Sequence, residues 1–443
     1  MSEKATSEKR YRPVALKRDH ARPRNAPQPS EGEIAARLEQ LFHPATLALS
    51  SHYHQLGLRW RILSLPVMVA VLLSAIWRSV PSVNALLQML VREPLLWVAP
   101  TKVSQQALNQ RLRTLPASLF GEVLAKVLAE LLARSRERSR PLTRVVKRAL
   151  AHFEAIYIAD ATTLEELFKK VGLLRGRSEK VLGGKLMVLL DLASKLPAQL
   201  WLDEEPECNE KAFLEPLKEV LRPGVMLIVD RGFYSFAFFD WLTEHNVGLL
   251  SRARELASFQ TLTVMHASAN ARDRIIKLGV YRSNPCENPL RLVEVYVAGV
   301  WHRYLTNVLD PCLLPAADVV ALYAQRWRIE ESFSLTKRLL GLSYLWTGAY
   351  NGIAMQVYAT WMFYSVLADL SDQVAQILGR PLDDISLELV YRGLYHYSTA
   401  RGRGLTTDPA TYLAAQTDLG IVKAKRPRLR HAYLDELPAA VNL

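Results

Sequence analysis

The chain has 443 residues, half of them hydrophobic and 22% charged, which excludes wholesale disorder and leaves room for about three domains at roughly 150 residues each. Lys and Arg number 56 against 43 Asp and Glu, a formal charge of +13 that favours a polyanionic partner such as nucleic acid, with plain solubility as the plainer account. Three scattered cysteines, Cys208, Cys286 and Cys312, and ten histidines without metal-type spacing exclude a disulfide scaffold and a thiolate zinc site, and suit a reducing cytoplasm.

Residues 1–30 read as a basic disordered arm, rich in Lys and Arg and broken by Pro13, Pro23, Pro27 and Pro29. No secretory signal is expected there, because the arm lacks an apolar core. Residues 31–153 read as helical: apolar residues recur at three and four spacing in Ile34–Phe42, Val83–Val91 and Phe120–Leu132. The stretch Leu63–Trp77 is shorter than the ~20 residues a spanning helix needs, so it is expected as a buried helix and no membrane role is expected. Ser104–Leu112 predicts a short capped helix presenting Gln105, Gln106, Asn109, Gln110 and Arg111, which suits base edges in a major groove or, equally, an exposed bundle helix. The run Arg134–Arg148 suits a nucleic-acid backbone.

The texture then changes to a mixed α/β core over 154–253. Strands are predicted at Ala155–Asp160, Gly184–Ala193, Ala198–Leu202, Val225–Asp230 and Val247–Ser251, with helices at Glu210–Leu221 and Ser235–His245. Residues 254–305 read as a β-rich insertion, with strands at Thr261–His266, Arg274–Val280 and a long one over Leu290–Thr306. The core resumes over 306–380 with two long helices, Ala316–Leu340 and Ala354–Leu378, before a C-terminal region, 381–443, with a second basic tail.

Two aspartates close apolar strands, Asp160 and Asp230, where open α/β sheets bind ligands beyond their strand ends. Taken singly, either is as well explained as a turn residue. On the first long helix, Tyr323, Arg326, Glu330 and Lys337 share an arc of about 60° at 100° per residue, beside the stripe of Leu322, Ile329, Phe333 and Leu340. Glu331 falls outside that arc. A salt-bridged amphipathic helix is the competing explanation, since Arg326 and Glu330 form an i,i+4 pair.

These blocks in this order resemble the IS4-type DDE transposases of bacterial insertion sequences. The helix signature of that family, Tyr-x2-Arg-x3-Glu-x6-Lys, is matched at every spacing by Tyr323, Arg326, Glu330 and Lys337. Its first-aspartate block is similar to Asp160-Ala161-Thr162, its second to Val229-Asp230-Arg231-Gly232-Phe233, and its second core strand to the Gly183–Lys185 run. The resemblance covers residues 100–370 and is weaker before them. It implies an RNase H-like five-stranded mixed sheet interrupted by a β-rich insertion and preceded by a helical DNA-binding region. It further implies binding of terminal inverted repeats, cut-and-paste excision through a hairpin, strand transfer into target double-stranded DNA, a DNA-bridged homodimer and a place at the bacterial nucleoid.

The chemistry agrees with the residue types. In-line displacement at phosphorus is served by two divalent cations ~3.5–4 Å apart, and Mg2+ or Mn2+ takes oxygen ligands, so Asp160, Asp230 and Glu330 suffice without His or Cys. Tyr323, Arg326, Lys337 and Arg231 would then hold the DNA phosphate. In the resembled family the β insertion can carry an aromatic residue that holds a base flipped from the DNA end, which here implies Trp301, His302 or Tyr304; Trp301 is chosen for its larger face, with an aromatic packed on the core as the plainer account. Two other functions stay open: an RNase H-like nuclease or resolvase without strand transfer, and a non-catalytic DNA-binding protein derived from a transposase.

Overall fold

The computed structural model describes residues 32–59, 61–164, 184–205, 208–297, 299–342 and 345–424. The basic arm 1–30, Gly183 and the tail from Lys425 onward lie outside the described residues.

Seven helices open the described chain: α1 (Gly32–Leu47), α2 (Ser50–Gln55), α3 (Leu65–Trp77), α4 (Val83–Arg92), α5 (Gln105–Thr114), α6 (Ser118–Glu137) and α7 (Arg144–Ala149). Helix α3 is apolar on all sides because it is buried on all sides, with Pro66 in the first turn where no helical N–H is lost. Among the described residues no helix is long and apolar enough to cross a membrane. Helix α5 starts where the sequence predicts, with Ser104 Oγ accepting the Ala107 N–H at 3.1 Å. Its Leu108 and Leu112 are buried and Gln105, Gln106, Asn109 and Gln110 are exposed. Arg111, however, turns inward, donating to the Leu63 carbonyl at 2.8 Å and to the Tyr53 hydroxyl.

The basic run after α6 also differs from its expected role. Arg138 bonds Asp372 at 2.9 Å and pairs with Asp369, Arg140 pairs with Asp372, and Arg148 pairs with Asp318. The Arg138 and Arg140 guanidiniums are almost fully buried, so they close the protein on itself and cannot follow a phosphate backbone. Their counter-charges lie some two hundred residues further on, where a local reading does not look.

The centre is one nine-stranded sheet. It comprises β1 (Ile156–Thr163), β2 (Lys185–Asp191), β3 (Pro197–Asp203), β4 (Met226–Val229), β5 (Gly248–Arg252), β6 (Phe259–Ala267), β7 (Ala271–Leu278), β8 (Leu290–Val297) and β9 (Val300–Thr306), in the order β3-β2-β1-β4-β5-β9-β8-β7-β6. Strands β1, β4 and β5 are parallel while β2 is antiparallel to both its neighbours, so β3-β2-β1-β4-β5 has the strand order of an RNase H-like core. The other four strands are a continuation of that sheet. Strand β9 pairs antiparallel with β5, setting Leu250 against Thr306 and Arg252 against Tyr304, and so covers an edge that would otherwise expose a row of unpaired amides. The expected single strand over Leu290–Thr306 is a hairpin. The chain reverses at Gly299, whose φ of +85° favours a residue without a Cβ.

Both faces of the sheet are covered at β1, β4 and β5, which is why these strands read as near-continuous apolar runs, whereas β6 at the far edge is largely exposed. On one face Ile156, Ile158, Met226, Ile228 and Leu250 join a core that takes in most of the helices. On the other, Ala159, Leu227, Val229 and Leu249 pack with residues of α8 (Leu214–Val220) and α9 (Phe236–Glu244). After β9 come α10 (Ala316–Tyr323), α11 (Trp327–Ser334), α12 (Tyr350–Ile377), α13 (Leu387–Gly402) and α14 (Pro409–Ala415). Helix α12 is buried along most of its length and packs against α3, α5, α6, α13 and α14.

The predicted uniform helix Ala316–Leu340 is divided. A 3-10 turn at Ala324–Arg326 separates α10 from α11, and a π-helical turn at Leu335–Leu339 follows α11. The tighter and wider turns rotate side chains in opposite senses. Tyr323, Arg326, Glu330 and Lys337 still point toward the sheet, although no single α-helical wheel describes them.

Candidate active site

The parallel register of β1 and β4 fixes the first two acids. Ala159 is opposite Val229, the last paired step, so Asp160 and Asp230 fall side by side one residue beyond it. Asp160 is not at the end of its strand, as its sequence position suggests. Strand β1 runs on to Thr163 because β2 continues to pair with it, Asp160 opposite Val188, whereas β4 stops at Val229 and turns through Arg231–Phe233. By alternation both carboxylates share the face of Ile158 and Ile228, toward α11.

The divided helix brings its side chains onto these acids. The Tyr323 hydroxyl donates to Asp230 Oδ1 at 3.0 Å. The Arg326 guanidinium donates to Asp160 Oδ2 at 2.8 Å and to Glu330 Oε1 at 3.2 Å, spanning the first and third acids. Lys337 Nζ bonds Thr162 Oγ1 at 2.5 Å and the Thr163 carbonyl at 3.2 Å, beside the outer end of β1. Glu330 is more open than Asp160, its side chain 40% exposed against 14%. Glu331 points away, to Arg328 and Lys423.

The two aspartates are pushed apart electrostatically. Burial lifts Asp160 to about 6 with help from the nearby carboxylates of Glu210 and Asp230, against the pull of Arg326 and the Ala161 N–H. Burial acts the same way on Asp230. There it is outweighed by the Arg231 backbone N–H, Arg326 and the Tyr323 hydroxyl, which together hold that carboxyl below its usual range. Burial raises the Tyr323 phenol strongly and Asp230 raises it further, so the hydroxyl stays a donor.

Two predicted DNA contacts lie elsewhere. The Arg231 side chain is paired with Glu255, 3.9 Å away, and makes no hydrogen bond to the acids, although its charge helps to lower Asp230. Trp301 stands on the opposite sheet face, where the Arg272 guanidinium lies 4.3 Å from its ring centroid and the Tyr296 ring 5.3 Å away. The alternation that separates Trp301 from Tyr304 puts Tyr304 on the acids' face, its ring 5.2 Å from that of Tyr323. Sequence reasoning missed Glu210, which opens the 3-10 turn after β3 and belongs to this electrostatic group. Its one visible signal is an acid at the start of the helix between the third and fourth core strands.

The donor set is made of oxygens alone, which fits a hard divalent cation held by Asp160, Asp230 and Glu330. Among the described residues no three His, Cys, Asp or Glu side chains converge on one point for an ion, and Arg326 lies between Asp160 and Glu330 as their shared counter-charge.

Residues 151–362 match the family model described as "Transposase DDE domain". No curated protein matches the chain. Among solved structures, one similar chain comes from the cryo-EM structure of the piggyBac transposase synaptic complex with hairpin DNA. It shares 11% identity at a TM-score of 0.39, over 83% of this chain and 77% of that one.

Proposed function

We propose, from the match of residues 151–362 to the transposase DDE domain model, that this protein is an IS4-type transposase that binds the terminal inverted repeats of its own insertion sequence, cuts DNA at those ends and joins the ends to a target duplex. The observation that carries this reading is the meeting of Asp160 and Asp230 at the last paired step of β1 and β4, with Arg326 reaching from Asp160 to Glu330.

In this reading Asp160, Asp230 and Glu330 hold two Mg2+ or Mn2+ ions, which when bound activate the attacking oxygen and stabilise the leaving one. The protein's own groups do the rest. Tyr323 fixes the Asp230 carboxylate through its hydroxyl, and Arg326 neutralises and orients Asp160 and Glu330. The Lys337 ammonium, held at the rim by Thr162 and Thr163, presents positive charge to the scissile phosphate. Excision through a hairpin, a homodimer bridged by DNA and action at the bacterial nucleoid complete the proposal.

The test uses the full chain with duplexes carrying the element's ends. With Mg2+ it should nick at the end and join the cut strand to a target plasmid. Nicking without joining would replace this reading by that of a nuclease or resolvase. End binding with no cleavage in Mg2+ or Mn2+ would leave only a DNA-binding derivative.

A further inference from the structure

The strand register that sets Asp160 beside Asp230 also sets a cation beside them. Ile158, Ile228 and Leu250 are level across β1, β4 and β5, and two residues further along each stretch stand Asp160, Asp230 and Arg252. By alternation Arg252 shares the acids' face with Leu250. It lies on the strand next to that of Asp230, on the side away from Asp160.

Its surroundings set Arg252 apart from the other cations at this end of the sheet. Arg326 is bonded to Asp160 and Glu330, Lys337 to Thr162 and Thr163, and Lys185 to the Cys208 carbonyl, while Arg231 is paired with Glu255. Arg252 is half-buried, yet among the described residues no carboxylate pairs with it and no oxygen accepts from its guanidinium. Its register partner is Tyr304, and His302 stands two residues before Tyr304 on the same face of β9. Burial, and then the Arg252 charge, lower the His302 imidazole below its ordinary value, so at neutral pH it is uncharged with one N–H to donate. The Arg252 charge also reaches Tyr323, whose hydroxyl holds Asp230. A guanidinium partly withdrawn from water without an acceptor carries a cost that an anion brought to this face would offset. The acids and Lys337 take the scissile phosphate in the transposase reading. Arg252 stands one strand further out, so the anion it meets is the adjoining phosphate of the same DNA strand.

We propose that Arg252 binds the backbone phosphate next to the scissile one, with the His302 N–H as its companion donor, and so registers the DNA strand on the acids. This inference rests on the transposase reading of the same site.

The experiment uses the full chain and duplexes carrying the element's ends, in which each phosphate near the cut site is replaced in turn by an uncharged methylphosphonate. Binding without metal is read by fluorescence anisotropy over a salt series, cleavage by a gel assay in Mg2+, and folding by circular dichroism. For the parent protein, neutralising one phosphate adjoining the cut should weaken binding about tenfold, as loss of a charge-assisted contact does. Arg252→Ala should bind unmodified ends about tenfold more weakly, with a salt dependence lower by about one charge. It should lose nothing further at that one phosphate while staying sensitive to the others. Arg252→Gln, longer and equally uncharged, carries the same comparison if the alanine variant does not fold. Arg252→Lys should restore the salt dependence but not the full affinity, because an ammonium lacks the guanidinium fork. If the uncharged variants stay as sensitive as the parent at every position, Arg252 touches no phosphate and the inference fails alone. If His302→Ala alone keeps the parent's full sensitivity, the companion role of His302 is withdrawn. If the parent neither prefers the element's ends to other duplexes nor cleaves them, the transposase reading fails and takes this inference with it.

Discussion

Arg138 and Arg140, after α6, and Arg326, between α10 and α11, look alike in the sequence: arginines in a basic neighbourhood of a basic protein. In the fold they differ in what answers their charge. Arg138 and Arg140 meet Asp369 and Asp372 on α12 in near-complete burial and join the helical region to that central helix. Arg326 meets Asp160 and Glu330 at a partly open rim, where one of its two partners remains 40% exposed. Both are ion pairs. The first kind consumes its acids and the second keeps them within reach of a ligand, so burial of the partner carboxylate, and not the arginine, separates a structural pair from a functional one.

The comparison can be broken most sharply at the acids. Asp160→Ala, Asp230→Ala or Glu330→Ala should each lower DNA cleavage by at least about a thousandfold, as loss of a group acting at the reacting centre does. Binding of the DNA ends, carried mainly by basic residues elsewhere, should persist. A gel assay of nicking beside a mobility-shift assay checks both. Residual cleavage in Glu330→Ala together with none in Glu331→Ala would reassign the third acid. On the structural side, Asp372→Ala leaves the buried Arg140 without its carboxylate and Arg138 with Asp369 alone, and should cost about 3–5 kcal/mol in urea unfolding. The same measurement on Glu330→Ala should show much less than that, and equal losses would erase the distinction drawn here.

A third prediction follows from the lifted Asp160. Its folded-state value of about 6 exceeds its ordinary 3.8, so its contribution to stability is present in full below about pH 4 and is lost as pH rises through 6. In metal-free buffer, Asp160→Asn should therefore melt above the parent protein at pH 7–8, with the gap closing toward pH 4. A constant gap across that window would show that the aspartate is not destabilised by its surroundings. The smallest effect concerns the two faces of β9. Tyr304→Ala removes the ring resting on Tyr323 and should reduce cleavage severalfold, whereas Trp301→Ala should leave it unchanged. The reverse order, read by single-turnover cleavage, would restore Trp301 to the DNA path.

How far these features could be read from sequence depended on whether their partners were local. The strand carrying Asp160, the strand ending before Asp230 and the buried α3 follow from short apolar runs, and the Tyr323, Arg326, Glu330 and Lys337 spacing was visible because all four lie on one stretch of chain. The 3-10 and π-helical turns within that stretch were not, since neither Pro nor Gly marks them. The reversal at Gly299 hid in a long apolar run that suits one strand or two. Glu210 and the Arg138 cluster were illegible for one reason: each is defined by residues brought from distant parts of the chain.

Strand β9 carries a consequence for any attempt to treat residues 254–305 as a removable cassette. The segment has the look of a module, flanked by core strand and core helix, and in many folds such a piece can be trimmed to a short turn without harm. Here the trimmed protein would lose the residues paired with Ser251 and Arg252 and the strand that carries the partner of Leu250, and β5 would become a bare, apolar border of the sheet. Such a border recruits strands from other molecules. Minimised versions of this protein would then gain a tendency to self-associate into aggregates, and shortening from the far end, at β6 and β7, is the route that leaves that border sealed.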